Sequence, residues 1–525
     1  MIHMSTSRTK TPRILAALTG VLSVALGVGL GELLSAWLTP SISPVTAIGG
    51  VVIDNVPPGV KDFAIATFGT ADKLALIVGM GIIIAIFAAA AGILQYSRPP
   101  VGVAIIAVFG LLGLGASLLR PGTTPIAVTM PLVVALVAIL ALRFLVARLR
   151  AFQPASPRDS TKNDGDASLA GSARRTFLVG SFVAAAGAIV AGSVSVAVRS
   201  SRAAFDAVRQ AITLPKPVKA APPEVESLEV EGITPWVVPN KDFYRIDTAL
   251  TVPEVNPETW ELRVTGMVDR EVSMTFQELL AKPMVEDYVT LTCVSNYVGG
   301  DLVGNAKWLG WPIRELLGQA GVQDGADMVL SRSVDGFTAS TPLEILTDKN
   351  RNALIAVGMN GGPLPPEHGF PARMVVPGLY GYVSATKWVT ELKVTTFAQD
   401  KAYWSTRGYS ERAPIKQSSR MDTPKPGQQV AAGEVWLGGV AWAQPVGVKQ
   451  VQVKIDGDDW KDATIGDATS GATWVQWALK ANLESGAHTI KVRSVNRDSE
   501  VQTGERADVV PDGATGIQST VISVT

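Results

Sequence analysis

The sequence predicts a chain of three parts: an N-terminal α-helical membrane domain with five spans, an α+β domain, and an all-β immunoglobulin-like sandwich. Three observations carry this reading. Long apolar runs crowd the chain before residue 200, short alternating strand and helix signals follow, and strand signals alone occupy the residues after 424. Charge divides the same way. The net charge of zero over 525 residues hides 17 Lys+Arg against 8 Asp+Glu in residues 1–210, which leaves 29 against 38 for residues 211–525. An acidic second half without a basic run argues against a nucleic-acid partner, because phosphate-backbone binding needs clustered Lys/Arg.

The spans come first. Ile14–Leu38, Leu74–Gln95, Val101–Leu119, Pro125–Leu142 and Phe177–Val198 are almost free of charge, and each is close to the roughly 20 residues that cross a bilayer core as a helix. Placing the N-terminus inside puts Arg8, Lys10, Arg13, Arg98, Arg143, Arg148, Arg150, Arg158, Lys162, Arg174 and Arg175 in the cytoplasm, and Lys61, Lys73 and Arg120 outside. Five spans then export everything after Val198, giving a multi-pass cell-membrane protein with its soluble part extracytoplasmic. The stretch 41–70, broken by Pro57-Pro58-Gly59, reads as an outer-face loop or interfacial helix. Gly27, Gly29, Gly31, Gly110, Gly113 and Gly115 lie inside apolar runs with no preceding strand, so close helix packing explains them better than a nucleotide loop. The spans hold no histidine for a haem and no paired charges for a transport site.

The expected boundaries are a four-span domain over 1–150, a cytoplasmic linker over 151–176, the fifth span over 177–198, an extracytoplasmic linker over 199–227, the mixed domain over 228–400, a connecting segment over 401–424 and the sandwich over 425–525. Arg174-Arg175 before the fifth span reads either as positive-inside charge or as a twin-arginine export signal. In the mixed domain, Trp260–Thr265, Tyr288–Cys293, Met328–Ser331, Ala353–Val357, Ala372–Val376 and Trp388–Thr395 predict strands, and Thr275–Leu280 and Pro312–Leu317 predict helices. Beyond Thr423-Pro424, the strands Trp436–Ala443, Val448–Ile455, Trp474–Leu479, His488–Val495 and Ser519–Val524 alternate with turns such as Asp456-Gly457. Asp456, Asp458 and Asp459 do not fit an EF-hand, so a hairpin turn is the plainer reading.

One cysteine and three histidines rule out an internal disulfide framework and Cys-rich zinc or iron–sulfur sites. Cys293, in Thr290-Leu291-Thr292-Cys293-Val294-Ser295-Asn296, ends a strand before Gly299-Gly300-Asp301. It is either a buried small hydrophobe or a ligand at a strand end. A second stretch runs Met359-Asn360-Gly361-Gly362-Pro363-Leu364-Pro365-Pro366-Glu367-His368-Gly369-Phe370-Pro371-Ala372-Arg373-Met374-Val375-Val376-Pro377-Gly378 and on to Ser384-Ala385-Thr386-Lys387-Trp388. Its Gly/Pro-punctuated backbone presents His368, Arg373 and Lys387, which suits an anion.

Together these motifs resemble the sulfite oxidase family of molybdopterin oxidoreductases, over about Asp242–Thr525. The resemblance implies that 228–400 is a molybdopterin-binding catalytic domain, and that the sandwich is a dimerisation-type domain allowing a homodimer. It implies a molybdenum-molybdopterin cofactor with Cys293 as metal ligand, a soft thiolate on a redox metal. His368 and Arg373 would hold the pterin phosphate, with Ser384, Thr386 and Lys387 in the adjoining loop, and Tyr244 and Arg245 near the cofactor. Trp308 keeps the place of a pocket tryptophan at the cleft mouth. The resemblance also favours the twin-arginine reading, because such a cofactor is inserted before export.

Three departures bear on substrate. Where sulfite oxidases carry two arginines, a tyrosine, and an arginine from the last domain, this chain has Tyr297-Val298, Val357 and Gln444-Pro445-Val446. The expectation is two-electron oxygen-atom chemistry on a small sulfur-containing or other substrate. A sulfoxide reductase of the same family and a non-catalytic membrane scaffold are the alternatives. The sequence contains no second redox motif, so a separate partner, a quinone system or a cytochrome, would carry the electrons.

Overall fold

The computed structural model describes residues 10–38, 43–56, 67, 72–120, 123–152, 165–199 and 202–525. The chain divides into two compact units, Met1–Val208 with Thr248–Thr251, and Arg209–Asp247 with Val252–Thr525.

The first unit is helical. Its helices are α1 (Lys10–Leu38), α2 (Pro44–Asn55), α3 (Asp72–Ser97), α4 (Val101–Leu118), α5 (Pro125–Phe152), α6 (Gly165–Arg199) and α7 (Arg202–Ala211). Among the described residues, five helices are long and apolar enough to cross a membrane: Pro12–Leu38, Ala75–Ser97, Val101–Leu118, Pro125–Ala151 and Arg175–Val196. The protein is therefore a multi-pass membrane protein. Exposed Ile82, Ile86, Leu111, Leu136 and Phe182 give these helices the apolar outer surface that lipid demands. Helix α2, about 18 Å long at 1.5 Å per residue, is too short to span. Its start is fixed by a Ser43 and Thr46 capping box and by Glu32 Oε1, which accepts the Val45 N–H at 3.0 Å.

Helix α1 packs along α3, α5 and α6. A Cβ on Gly27 would lie 2.6 Å from the Val134 carbonyl oxygen, and one on Gly110 would lie 2.6 Å from the Ala135 Cβ, so both glycines permit the close approach expected of them. Gly115 meets nothing within 4 Å and serves no such contact. The tightest crossing is instead Gly20 against Gly92, whose Cβ atoms would fall 2.0 and 2.1 Å from carbonyl oxygens of the facing helix.

Two linker boundaries differ from expectation. Helix α6 begins at Gly165 and runs unbroken through Arg174-Arg175. Residues 153–164, including Arg158 and Lys162, lie outside the described residues, as does Lys61. The linker expected over 199–227 contains α7, and its remainder joins the second unit: Val218 donates to the Met284 carbonyl at 2.8 Å and Glu286 to that of Lys219 at 2.9 Å.

The second unit begins with a mixed domain of two sheets. Strands β1 (Glu261–Gly266), β2 (Val272–Thr275), β5 (Met328–Ser333), β6 (Thr338–Pro342) and β10 (Val389–Thr395) form one, in the order β2-β1-β10-β5-β6. Strands β3 (Val285–Thr292), β4 (Val303–Pro312), β7 (Leu354–Met359) and β8 (Gly362–Pro363) form the other, with β9 (Arg373–Val375) on β7. This second sheet, whose central strands are buried on both faces, carries the site. The sandwich pairs β11 (Ser418–Thr423), β13 (Gly433–Trp442), β17 (Val475–Leu483) and β16 (Thr464–Ile465) against β12 (Gln429–Val430), β19 (Gln518–Val524), β18 (Gly486–Asn496), β14 (Val448–Ile455) and β15 (Lys461–Asp462). Its core is Leu437, Val451, Val453, Trp477, Ile490 and Ile522. The sandwich starts at Ser418, inside the expected connecting segment, and Asp456-Gly457 is the turn between β14 and β15.

Candidate functional site

Strand β3 ends in five consecutive buried residues and delivers Cys293 at its tip. The loop that follows is stapled shut. Cys293 N–H donates to Leu302 O at 2.9 Å, Asn296 N–H donates to Cys293 O at 3.1 Å, and Asn296 Oδ1 accepts the Leu302 N–H at 2.9 Å. The Cys293 backbone is thereby held at the end of the strand. The pKa of its thiol is raised by burial, while the Ser295 N–H and hydroxyl and the nearby Lys387 favour the thiolate.

The second motif closes around it. Asn360, held at φ 51°, accepts the Lys307 N–H at 2.9 Å and donates to Val238 O at 3.0 Å and Asn240 Oδ1 at 2.7 Å. The Asn240 carbonyl in turn bonds His368 Nε2 at 2.9 Å. Gly369, at φ +109°, lies close to both cationic residues: a Cβ there would sit 3.0 Å from the Arg373 Cβ and 3.1 Å from the Lys387 Cβ, tight enough that these neighbours would have to shift. Arg373 donates to His368 O at 3.1 Å and Ala385 O at 3.5 Å and lies 5.0 Å from the Trp308 ring centroid. Lys387 Nζ meets Asp247 Oδ2 at 2.6 Å and Glu367 O at 3.0 Å, and Arg245 Nε meets the same carboxylate oxygen at 2.9 Å. Phe243 fills the floor, 5.2 Å from Tyr244, 5.5 Å from His368 and 5.9 Å from Trp308.

The electrostatics describe a site short of negative charge. Burial pushes His368 down to about 4, opposed by the Asn240 carbonyl and reinforced by Arg373, Lys387 and Arg245. Burial likewise lowers Lys387 to about 8 despite Asp247, and Arg373 to about 10. Tyr244 is pushed up by burial and by Cys293, against the pull of Arg373. Among the described residues, no carboxylate lies within ion-pair distance of Arg373, which is 5% exposed.

The structure thus brings Cys293, Tyr244, Arg245, His368, Arg373 and Lys387 into one electrostatically coupled group. Three expected residues sit differently. Trp308 is fully buried, with its indole N–H on Val289 O at 3.2 Å, so it underlies Arg373 instead of standing at a cleft mouth. The Ser384 hydroxyl donates to Leu379 O and Tyr380 O, and the Thr386 hydroxyl pairs with Ser331 at 2.7 Å. Both hydroxyls are committed to the interior. Asp247 and Asn240 went unseen in the sequence, where nothing marks a lone Asp or Asn as a partner of residues more than 100 positions away. Gln444 reaches from the sandwich to Thr290 O at 2.9 Å and to Ala472 O.

Residues 249–404 match the oxidoreductase molybdopterin-binding domain, and residues 418–492 match the bacterial Ig domain. The chain is 28% identical to human mitochondrial sulfite oxidase over 325 residues, 53% of this chain and 58% of that protein. It is 33% identical over 161 residues to the uncharacterized oxidoreductase YuiH of Bacillus subtilis (strain 168), covering 31% of this chain and 77% of that one. The chain belongs to the sulfite oxidase family. It therefore falls among the molybdopterin-dependent oxidoreductases, whose cofactor is molybdenum-molybdopterin. The sulfane dehydrogenase SoxCD from Paracoccus pantotrophus aligns with a TM-score of 0.49 and 22% identity, over 57% of this sulfite oxidase family chain and 85% of that structure. The chain spans 58% of the length of the human relative and 56% of the mouse one.

The residues present fit such a cofactor. An unneutralised buried guanidinium beside His368 and Lys387 suits a phosphate. Next to Cys293, the buried Thr292 hydroxyl has no hydrogen-bond partner among the described residues. Among them no group of three or more His, Cys, Asp or Glu side chains could enclose a metal, and Cys293 is a free, buried thiol.

Proposed function

We propose that this protein is a membrane-anchored molybdenum oxidoreductase, acting on a small sulfur-containing substrate less anionic than sulfite or larger than it, with Cys293 as protein ligand to the metal. The observation that carries the proposal is the convergence of Cys293, His368, Arg373 and Lys387 on a buried site with excess positive charge. When bound, the cofactor supplies two-electron chemistry coupled to movement of one oxygen atom. Arg373, His368 and Lys387 bind its phosphate, with the Ser384–Lys387 backbone alongside. Asp247 orients Lys387 and Arg245, and Tyr244, held protonated by burial beside Cys293, keeps an O–H donor at the metal side.

The substrate reading rests on the three departures from sulfite oxidases. Tyr297 is 49% exposed, Val357 is buried and apolar, and Gln444 is tied to Thr290 and Ala472. None of them offers a cation, and an unpaired anion in a dry site costs several kcal/mol, order of magnitude. A sulfoxide is a candidate substrate, which would make the enzyme a reductase. The catalytic unit is read as extracytoplasmic, from the positive-inside pattern and with twin-arginine export. A quinone system or cytochrome is read as the electron partner, and the sandwich as the face of a possible homodimer. A scaffold without catalysis would have no need of a phosphate cradle next to a lone buried thiol.

The deciding experiment loads the protein in a molybdopterin-competent host and measures molybdenum content and turnover with sulfite and with small sulfoxides. We expect stoichiometric metal, poor sulfite turnover and better sulfoxide turnover. Metal-free protein would overturn the oxidoreductase reading, and sulfite turnover like that of true sulfite oxidases would overturn the substrate reading.

A further inference from the structure

On the outer face of the sandwich, β14, β18 and β19 place Lys454 directly opposite Lys491, and Lys491 directly opposite Ser519. Like charges facing each other across an antiparallel pair destabilise a sheet. Here they gain no relief, since among the described residues no carboxylate lies within ion-pair distance of Lys454, Lys491 or Arg506. These three line a cleft of about 430 Å³ together with Trp460, Ile517 and Ser519. The neighbouring outward pair is Gln452 and Arg493. Arg493 stacks 4.2 Å from the Trp460 ring centroid and bonds Gln452 at 2.9 Å, which holds the indole against the cleft.

The arrangement is that of an oxyanion site with an aromatic wall. Two lysines and an arginine supply charge-assisted donors, Ser519 adds a hydroxyl, and Trp460 and Ile517 give apolar surface for a ring. A second copy of this chain does not fit the face, because a two-fold contact would set these cations against themselves. We propose that this cleft binds a phosphate or sulfate ester of a sugar, with the ester group among Lys454, Lys491 and Arg506 and the sugar ring against Trp460.

The test is calorimetric titration of the cofactor-loaded, full-length protein in detergent with glucose 6-phosphate, glucose 6-sulfate, inorganic phosphate and glucose. At least one ester should bind one to one, at least about tenfold tighter than inorganic phosphate, with no binding by glucose. The tighter ester names the source. Lys454→Gln and Lys491→Gln should each weaken binding about tenfold, and Trp460→Ala should erase the preference for ester over inorganic phosphate. Lys449→Gln, exposed on the same strand outside the cleft, should change nothing. Absence of ester binding up to about 10 mM, or equal weakening by Lys449→Gln, would overturn the proposal.

Discussion

Asp247→Asn should separate the cofactor-free protein from the loaded one. Asp247 is 4% exposed at its side chain and is ion-paired at 2.6 Å to Lys387, which is 9% exposed, and at 2.9 Å to Arg245. Even with this partner, burial holds Lys387 at about 8 against an ordinary 10.5, which corresponds to roughly 3 kcal/mol against the charged form. Removing one member of a buried pair typically costs about 3–5 kcal/mol, here expected as a fall of roughly 10 °C in the unfolding temperature of the cofactor-free protein. The loaded protein should lose less, because the cofactor phosphate restores negative charge beside Lys387. The pH dependence has a definite sign. The folded value lies below the unfolded one, so the unfolded chain binds the extra proton between about 8 and 10.5, and stability rises with pH across that window. Asn at 247 moves the lower edge of the window below about 8. Thermal unfolding followed by tryptophan fluorescence, with and without cofactor across pH 6–10, measures all of this. An equal or larger loss in the loaded protein would refute the view that the cation group is built for an anion.

Cys293→Ser should abolish turnover while the protein still reaches the membrane, checked by activity beside membrane fractionation; full activity would exclude the cysteine as ligand. His368, held at about 4 against an ordinary 6.5, should cost the cofactor-free fold roughly 3 kcal/mol as pH falls from 6.5 to 4, and His368→Gln should flatten that acid limb in unfolding scans. Thr290→Val removes the hydroxyl that accepts the Trp474 N–H at 2.9 Å and donates to Asn305 Oδ1 at 3.0 Å. Leaving both buried groups unpaired should cost about 2–4 kcal/mol, read as a lower unfolding temperature with molybdenum content as a second readout.

Much of the fold was legible because its physics is local. Hydropathy located five spans, since a helix in lipid must be apolar along its whole length, and alternation located the sandwich strands. The linker ends were less legible: Gly165–Arg174 lacks an apolar stripe, yet α6 simply continues through it. In the site, the contiguous motif carrying His368, Arg373 and Lys387 named its own members, but side-chain direction did not follow from it. Ser384 and Thr386 turn inward because Leu379, Tyr380 and Ser331 are nearer partners, a matter of tertiary packing. Asp247 became visible only when the chain folded it onto a lysine 140 positions away.

The sandwich is part of how Cys293 is held. Trp236 and Trp474 exchange indole N–H bonds to each other's carbonyl oxygens at 3.3 and 3.0 Å, and Asn305 donates to Trp236 O at 3.0 Å. Asn305 accepts from Thr290, and Thr290 also receives Trp474 N–H and, at its carbonyl, Gln444. Three of these bonds end on Thr290, on the strand that delivers Cys293 three residues later. At low local dielectric each bond in such a buried set is strong and each loss is costly. Loosening the sandwich leaves unpaired groups at Thr290 on β3, the strand that ends beside Cys293. Gln444, donating from the sandwich to the Thr290 carbonyl, helps to fix the strand that carries Cys293.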